Sequence, residues 1–396
     1  MINLSKYLSQ DDNVIHIPAE EVAKMNRDEL IDTVAKSSIS YPYLKYFYNK
    51  PYHLFSNVIK YKPIISYDNF TLVGMHWLDE ELKTNKFRNK SISYIQQATD
   101  YENIDRLTDI MTEYARVDAK RYDKDQTPLE YFNTHKAELV AECIDKTGTV
   151  DSFQIREILW RKKYEATNFK ITCATSIYIH YNARKILDIS AGWGDRLIAA
   201  IGHHAERYLA FDPNKKLMAG HNQILDTFAK YMKSGKTNYE IKYEPFETAN
   251  LGSELFDLIF TSPPYFDLEI YDTRDTEGTQ SISKFTEFEN WVTGFLFRSI
   301  LNAWAHLQIG GNMVIHISDF AGHSICEPMI LFVLSKCYGA RFDGVIGTVG
   351  DSKRIMPMWA FYKDKAEDTA IISKAESSLK KNYRSIFDNM MKNLRS

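Results

Sequence analysis

The sequence predicts an α/β protein: a doubly wound, mostly parallel seven-stranded sheet, preceded by a mainly helical N-terminal domain. Three observations carry this prediction. From about residue 168 to 363, short apolar runs of strand length alternate with longer segments of helical period, the pattern of strands joined by crossover helices. Glycine or proline turns directly follow two of those runs. Before residue 165 the chain carries helix-start signals and few extended runs. At 396 residues the chain exceeds the size of a single hydrophobic core, so more than one domain is expected. The boundaries predicted are 1–165 for the helical accessory domain, 166–365 for the sheet domain and 366–396 for a basic helical tail.

Taken in order, Pro18 with Glu20 and Glu21 opens a first helix, with acids in its first turn. Residues 58–66 (VIKYKPIIS) form the best strand of this half, and Pro63 assigns it to an edge. Thr127-Pro128 starts another helix, with the hydroxyl as cap and Leu129, Phe132 and Leu139 on its apolar face. Strands are then expected at 185–188, at 208–212, just before Glu244, and at 256–260. Helices are expected at 196–201 and 216–233 and, long and apolar, at 288–307. After Gly310-Gly311 comes a strand at 312–317, and 339–349 with 358–362 reads as an antiparallel hairpin added at one edge.

Composition narrows the function classes. With 44% hydrophobic and 26% charged residues the chain is neither collagenous, nor a coiled-coil rod, nor wholly disordered. A formal net charge of −3 excludes holding nucleic acid by bulk charge, but leaves room for a local basic face. Cys143, Cys173, Cys326 and Cys337 are scattered with no C-x-x-C pair, which argues for a reducing compartment rather than a disulfide framework or zinc knuckle. The start reaches Asp11 and Asp12 before any apolar leader core forms, and no run approaches the roughly 20 apolar residues of a membrane span. A soluble protein of the cytoplasm or another reducing intracellular compartment, without a membrane partner, is expected. The histidines show no metal-ligand spacing, so no metal is expected. No phosphate-binding loop with the G-x-x-x-x-G-K pattern occurs.

The first chemical signal is Asp188-Ile-Ser190-Ala191-Gly192-Trp-Gly194-Asp-Arg196. A glycine turn after a first strand lets a ligand lie against backbone at the carboxyl end of the sheet. Asp212 ends the next strand, where a carboxylate can hold both hydroxyls of an adenosine ribose. The dinucleotide fingerprint wants a third glycine three residues after Gly194; Leu197 stands there, which disfavours a pyrophosphate. S-adenosylmethionine (SAM) carries adenosine without phosphate and suits this turn, with Asp188 facing its amino-acid end.

The second signal, Thr261-Ser262-Pro263-Pro264-Tyr265, follows a buried strand. Two prolines fix the backbone and remove two N–H donors, leaving a stiff turn that presents oxygen acceptors. That suits an exocyclic amine. With the Ser262 oxygen and the Pro263 carbonyl each taking an amine hydrogen, the nitrogen pyramidalises and frees its lone pair to attack a methyl group in line. Tyr265 is placed to stack on the base, a contact worth ~1–3 kcal/mol in other proteins.

The two motifs together resemble the SAM-dependent amino-methyltransferases of nucleic acids, which make N4-methylcytosine or N6-methyladenine. D-I-S-A-G-W-G-D-R-L and T-S-P-P-Y-F-D-L-E-I-Y look most similar to DNA methylases of phages and large DNA viruses. The likeness covers residues 168–363, about half the chain. It implies a Rossmann-like methyltransferase fold, SAM as cofactor and nucleic acid as partner, with DNA favoured over RNA and an infected host cell as one setting. Carried over residue by residue, Ser262, Pro263, Pro264 and Tyr265 match the catalytic motif. Asp188, Ser190, Ala191, Gly192 and Gly194 match the SAM loop, and Asp212 the ribose acid. Phe169 and Thr172 occupy the place of the motif covering the methionine end, and Phe246, after the third strand, the place of an adenine contact. Serine at the first position of the catalytic motif leans towards cytosine. The family's target-recognition insert has no room between the two motifs, so any sequence reading falls to 1–165, to the segment after Tyr265, or to the tail.

Further candidates are Phe266, Glu269 and Tyr271 as a lining for the base, and polar residues 272–283 as a lid. Basic runs with aromatics occur at 83–90, 160–164 and 380–384; Arg161 and Lys162 of the second are the favoured phosphate contacts. Three alternatives stay open: an RNA adenosine-N6 methyltransferase, a catalytically idle binding protein of the same fold, and a methyltransferase acting on a protein glutamine. The last typically has Asn, not Ser, before Pro-Pro. The oligomeric state is left open.

Overall fold

The computed structural model describes residues 2–9, 14–48, 50–63, 65–67, 93–96, 103–275, 277–349 and 355–393. The basic run at 83–90 lies outside the described residues. The chain forms two units: residues 1–51, 106–167 and 269–274 in the first, and 52–105, 168–268 and 275–396 in the second. These units are built from interleaved segments. Residues 52–105 and the tail join the sheet unit, and 269–274 joins the helical one, where the sequence suggested cuts at 165 and 365.

In the first unit, helices Arg27–Lys36, Arg106–Arg116, Pro128–Thr134, Lys136–Thr147 and Ser152–Arg161 close over a core that includes Leu30, Val34, Phe132, Leu139 and Ile155. Thr127 begins its helix with a capping box: its hydroxyl accepts from Glu130 N, and Glu130 accepts from Thr127 N. Two-residue strands Lys120–Arg121 and Glu269–Ile270 pair antiparallel, so a segment far along the chain completes this unit. Inside it, Arg156 and Arg116 bridge Asp109, Glu113 and Glu165 in one buried ion network.

The second unit is a nine-stranded sheet. Its strands, in chain order, are β1 (Ile65–Tyr67), β2 (Ser93–Gln96), β3 (Lys185–Asp188), β4 (Arg207–Phe211), β5 (Tyr239–Lys242), β6 (Phe256–Thr261), β7 (Leu307–His316), β8 (Ala340–Val349) and β9 (Ile355–Lys363). Across the sheet they run β1-β2-β8-β9-β7-β6-β3-β4-β5. The four pairs from β7 to β5 are parallel, while β9 is antiparallel to both its neighbours. The seven strands from Lys185 onward are those expected and give a Rossmann-like, doubly wound sheet; β1 and β2 widen it. The β8–β9 hairpin is therefore interior, with β2 pairing beyond β8, and not at an edge. Residues 58–60, expected as strand, close the helix Pro51–Lys60, because Leu54, Phe55 and Val58 recur at helical spacing on one buried face. Among the described residues of that run, 65 and 66 are extended, within Ile65–Tyr67. The apolar helix at 288–307 holds a π segment, Trp291–Phe297, at its centre.

Strand order fixes where a ligand can lie. From β3 the chain steps outward to β4 and β5, then returns past β3 to β6 and steps the other way to β7. The order reverses between β3 and β6, and doubly wound sheets open a crevice at the carboxyl ends of such a pair. Both motifs occupy those ends: the glycine turn follows β3 and the proline turn follows β6.

Candidate active site

Asp188 closes β3 and is fully buried. Its Oδ2 accepts from Arg196 Nε at 2.7 Å and from the Tyr208 hydroxyl at 2.9 Å. Its Oδ1 accepts from Ser190 N at 3.1 Å, Thr261 Oγ1 at 3.0 Å and Arg196 Nη2 at 3.3 Å. Five donors saturate this carboxylate. The expectation that Asp188 faces the charged end of a ligand is therefore corrected: its side chain holds the site together. Arg196, which the sequence reading passed over, is the partner; it also donates to the Ser190 carbonyl and lies over the Phe169 ring, 5.2 Å from its centroid.

The glycines shape the turn for different reasons. Both have positive φ, +59° at Gly192 and +106° at Gly194. At Gly194 a Cβ would meet Ile224 Cδ1 at 2.7 Å, whereas at Gly192 the nearest atoms are 3.8 Å away or more. Gly194 thus admits the helix Met218–Thr227, whereas at Gly192 a Cβ would make only ordinary contacts and the positive φ is what favours glycine. His221 of that helix donates through Nε2 to the Gly192 carbonyl at 2.9 Å; burial lowers its imidazole to about 4, so it stays neutral.

Asp212 accepts from Gly192 N at 2.9 Å and Asn214 N at 3.0 Å, which ties the end of β4 to the glycine turn. Half-buried there, it is pushed up to about 6 by desolvation. Two backbone donors leave lone pairs on this carboxylate for further hydroxyl donors. Beside it, Asn214 is 6% exposed and its Nδ2 has no hydrogen-bond partner. An orphaned buried donor next to an unsaturated carboxylate matches an adenosine, which offers both hydroxyls and acceptors. The residues present fit the nucleoside part of SAM.

At the proline turn, Ser262, Pro264 and Tyr265 are half-buried and Pro263 is buried. The parallel register places Ile315 of β7 opposite Thr261, so His316 stands beside Ser262. His316 Nδ1 lies 3.1 Å from Ser262 Oγ and 3.1 Å from the Tyr265 hydroxyl. Phe169 packs edge-on to His316 at 5.3 Å and to Phe260 at 5.6 Å. Sequence reasoning set His316 aside because it lacks metal-ligand spacing. The available signal was its place, the polar end of an apolar strand next to the one carrying Ser-Pro-Pro-Tyr.

Other candidates fall elsewhere. Thr172 is fully buried within Ile171–His180, which removes it from any ligand-facing set. Phe246, 2% exposed, packs edge-on against Phe211 at 4.9 Å, so it serves the core and not an adenine ring. Phe266 is likewise buried against Phe288, Trp291 and His323. Glu269 is buried in the first unit, where its Oε1 accepts from Thr167 N at 2.9 Å. Tyr271, half-buried, hydrogen-bonds Glu269 in that unit. Arg161 is exposed at the end of its helix beside Trp160, which is 60% exposed; Lys162 pairs with Glu142 at 2.8 Å. Ser190 is half-buried and Ala191 buried in the turn, where Ala191 N donates to the Phe211 carbonyl.

No family model and no curated protein matches the chain. Among solved structures it is similar to an rRNA methylase from Streptococcus thermophilus, at 12% identity and a TM-score of 0.34 over 50% of this chain and 99% of that one. It is similar to TrmN from Thermus thermophilus at 12% identity and 0.34, over 49% of this chain and 48% of that one. The N-methyltransferase NodS from Bradyrhizobium japonicum WM9, in complex with S-adenosyl-L-homocysteine, matches at 15% identity and 0.33, over 48% of this chain and 85% of that one. Scores this low place the chain in none of these families, and the fold assignment rests on strand order and register. By that order the chain is a Rossmann-like α/β protein with its glycine and proline turns joined at one topological switch point.

Proposed function

We propose that this protein is a SAM-dependent methyltransferase acting on the exocyclic amine of a nucleobase, with DNA as the favoured polymer and cytosine N4 ahead of adenine N6. One observation carries the reading: Thr261, which leads the proline turn, hydrogen-bonds Asp188, which leads the glycine turn, at 3.0 Å. A methyl-donor site and an amine-acceptor site are thereby neighbours. Asp212 and Asn214 hold the nucleoside beside the Gly192 turn, whose N–H already bonds Asp212. When bound, SAM supplies an electrophilic methyl on a sulfonium that is its own leaving group.

The chain's residues do the rest. Ser262 and the Pro263 carbonyl accept the two amine hydrogens, and Tyr265 bounds the pocket. A duplex target is flipped out of its stack to reach such a crevice, at a cost of a few kcal/mol. Arg161 with Trp160 is the proposed phosphate and base contact on the first unit.

The test is nucleoside mass spectrometry after incubating purified protein with SAM and either unmethylated genomic DNA or unmodified RNA transcripts. N4-methylcytosine or N6-methyladenine in the DNA arm, lost in Ser262→Ala, supports the reading. Methyl in the RNA arm alone moves the acceptor to RNA. No transfer to either, with SAM still bound by calorimetry, favours an idle binding protein.

A further inference from the structure

Ser262 can meet a ligand as donor or as acceptor, and its neighbours decide which. His316 Nδ1 is 3.1 Å from both Ser262 Oγ and the Tyr265 hydroxyl, yet one imidazole nitrogen offers a single in-plane hydrogen-bonding position. The Tyr265 hydroxyl also reaches the His316 carbonyl, 3.3 Å away. Both tautomers of the ring fit these distances; the one that frees the Ser262 lone pairs for an amine has Tyr265 donating to that carbonyl, Ser262 donating to Nδ1, and the ring hydrogen on Nε2. Arg196 is the charged group facing the ring, Asp188 is already bonded to that guanidinium, and Phe169 covers the ring edge-on. Burial, then the Arg196 charge, lowers the imidazole to about 4, so it is neutral and accepting at pH 7.

Resting on the proposed amine transfer, we infer that His316 is the positioning residue of the proline turn: by taking the Ser262 hydrogen it turns the Ser262 lone pairs toward an incoming N–H and makes the turn selective for an amine. It also gives the leaving proton a path. As the nitrogen–methyl bond forms, the sulfur–methyl bond breaks and leaves its electron pair on sulfur. The nitrogen then sheds one proton to Ser262 Oγ while the Ser262 hydrogen passes to His316 Nδ1. Water takes that proton from the imidazolium. If Nδ1 is protonated beforehand, it donates to Ser262, the hydroxyl hydrogen swings toward the amine, and transfer stops.

Two variants test this in the full chain. His316→Phe keeps a ring against Phe169 and removes the acceptor; His316→Asn puts an amide oxygen near the Nδ1 position and does not titrate. At saturating SAM and DNA, His316→Phe is expected to lose about 10²-fold or more in kcat, with KM for DNA and Kd for SAM within about twofold. His316→Asn should regain about tenfold of that loss and lack the acid limb that wild-type kcat shows as pH falls towards about 4. Independently of turnover, ¹⁵N spectra of histidine-labelled free protein should show Nδ1 of His316 unprotonated at neutral pH. A His316→Phe kcat within about threefold of wild type, or a protonated Nδ1, overturns the inference. Wild-type protein that methylates neither DNA nor RNA would sink the functional reading instead, and the nitrogen shift would still decide this one.

Discussion

Replacing Arg196 by Met tests how the crevice is held together. Met roughly fills the space of the Arg stem but leaves Asp188 buried, its charge facing only Ser190 N–H and the Tyr208 and Thr261 hydroxyls. Removing one partner of a buried ion pair costs ~3–5 kcal/mol, because the other charge is left without its counter-ion. Three surviving donors place this case at the low end, about 3 kcal/mol. For a domain of this size class 1 kcal/mol moves the midpoint by roughly 2–4 °C, so a fall of roughly 6–12 °C is expected. Adding Asp188→Asn discharges the stranded carboxylate and should return ~1 kcal/mol, a coupling of the usual size for contacting residues. The assay is thermal and urea unfolding followed by tryptophan fluorescence, to which Trp193, buried within the glycine turn, contributes. A single variant within ~1 kcal/mol of wild type, or a double variant no better than the single, refutes the clamp.

Gly194→Ala should cost ~2–3 kcal/mol, from its left-handed backbone plus the 2.7 Å clash with Ile224, against ~1 kcal/mol for Gly192→Ala; equal midpoints in urea would contradict this. SAM affinity, read by calorimetry, should rise with pH through about 6 and level off above it, since ribose hydroxyls donate to the ionised Asp212, and near pH 5 it should be roughly tenfold weaker. Asp212→Asn should bind weakly with no such dependence; a flat wild-type profile would disprove the assignment. Thr127→Ala removes a capping box and should lower stability by ~1 kcal/mol while leaving SAM binding untouched, as unfolding curves and calorimetry together would show.

The sheet from Lys185 onward was legible because central parallel strands are apolar on both faces, so Ile186-Leu187 and Leu258-Ile259-Phe260 stand out between turns. Both turns were legible because glycine and paired prolines impose local backbone geometry wherever they occur. What escaped depends on contacts between distant residues. Asp188 looks like a ligand contact until Arg196, in the first turn of the next helix, is seen to neutralise it. His316 acquires meaning only from the register of β7 on β6. Phe246 and Phe266 carry the aromatic character of ring-stacking residues, but a core uses the same side chains. The last residues of the helix at 51–60 read as strand because VIK, joined to PIIS through Tyr61-Lys62, mimics one β run, although the apolar period leading into it is helical.

Glu269–Ile270 pairing with Lys120–Arg121 has a consequence for synthesis. The register sets Arg121 against Glu269, 148 positions later (269 − 121), so the helical unit emerges from the ribosome without its last strand. At roughly 5–20 residues per second it waits about 7–30 s, a long interval beside the time small domains take to fold. During that wait the backbone groups of Lys120–Arg121 that pair with the later strand have only water, and Glu269 is not yet there to receive Thr167 N–H. The strand pair and the Thr167–Glu269 bond therefore form only after residue 269 has been made, well after the helices and the core they close over.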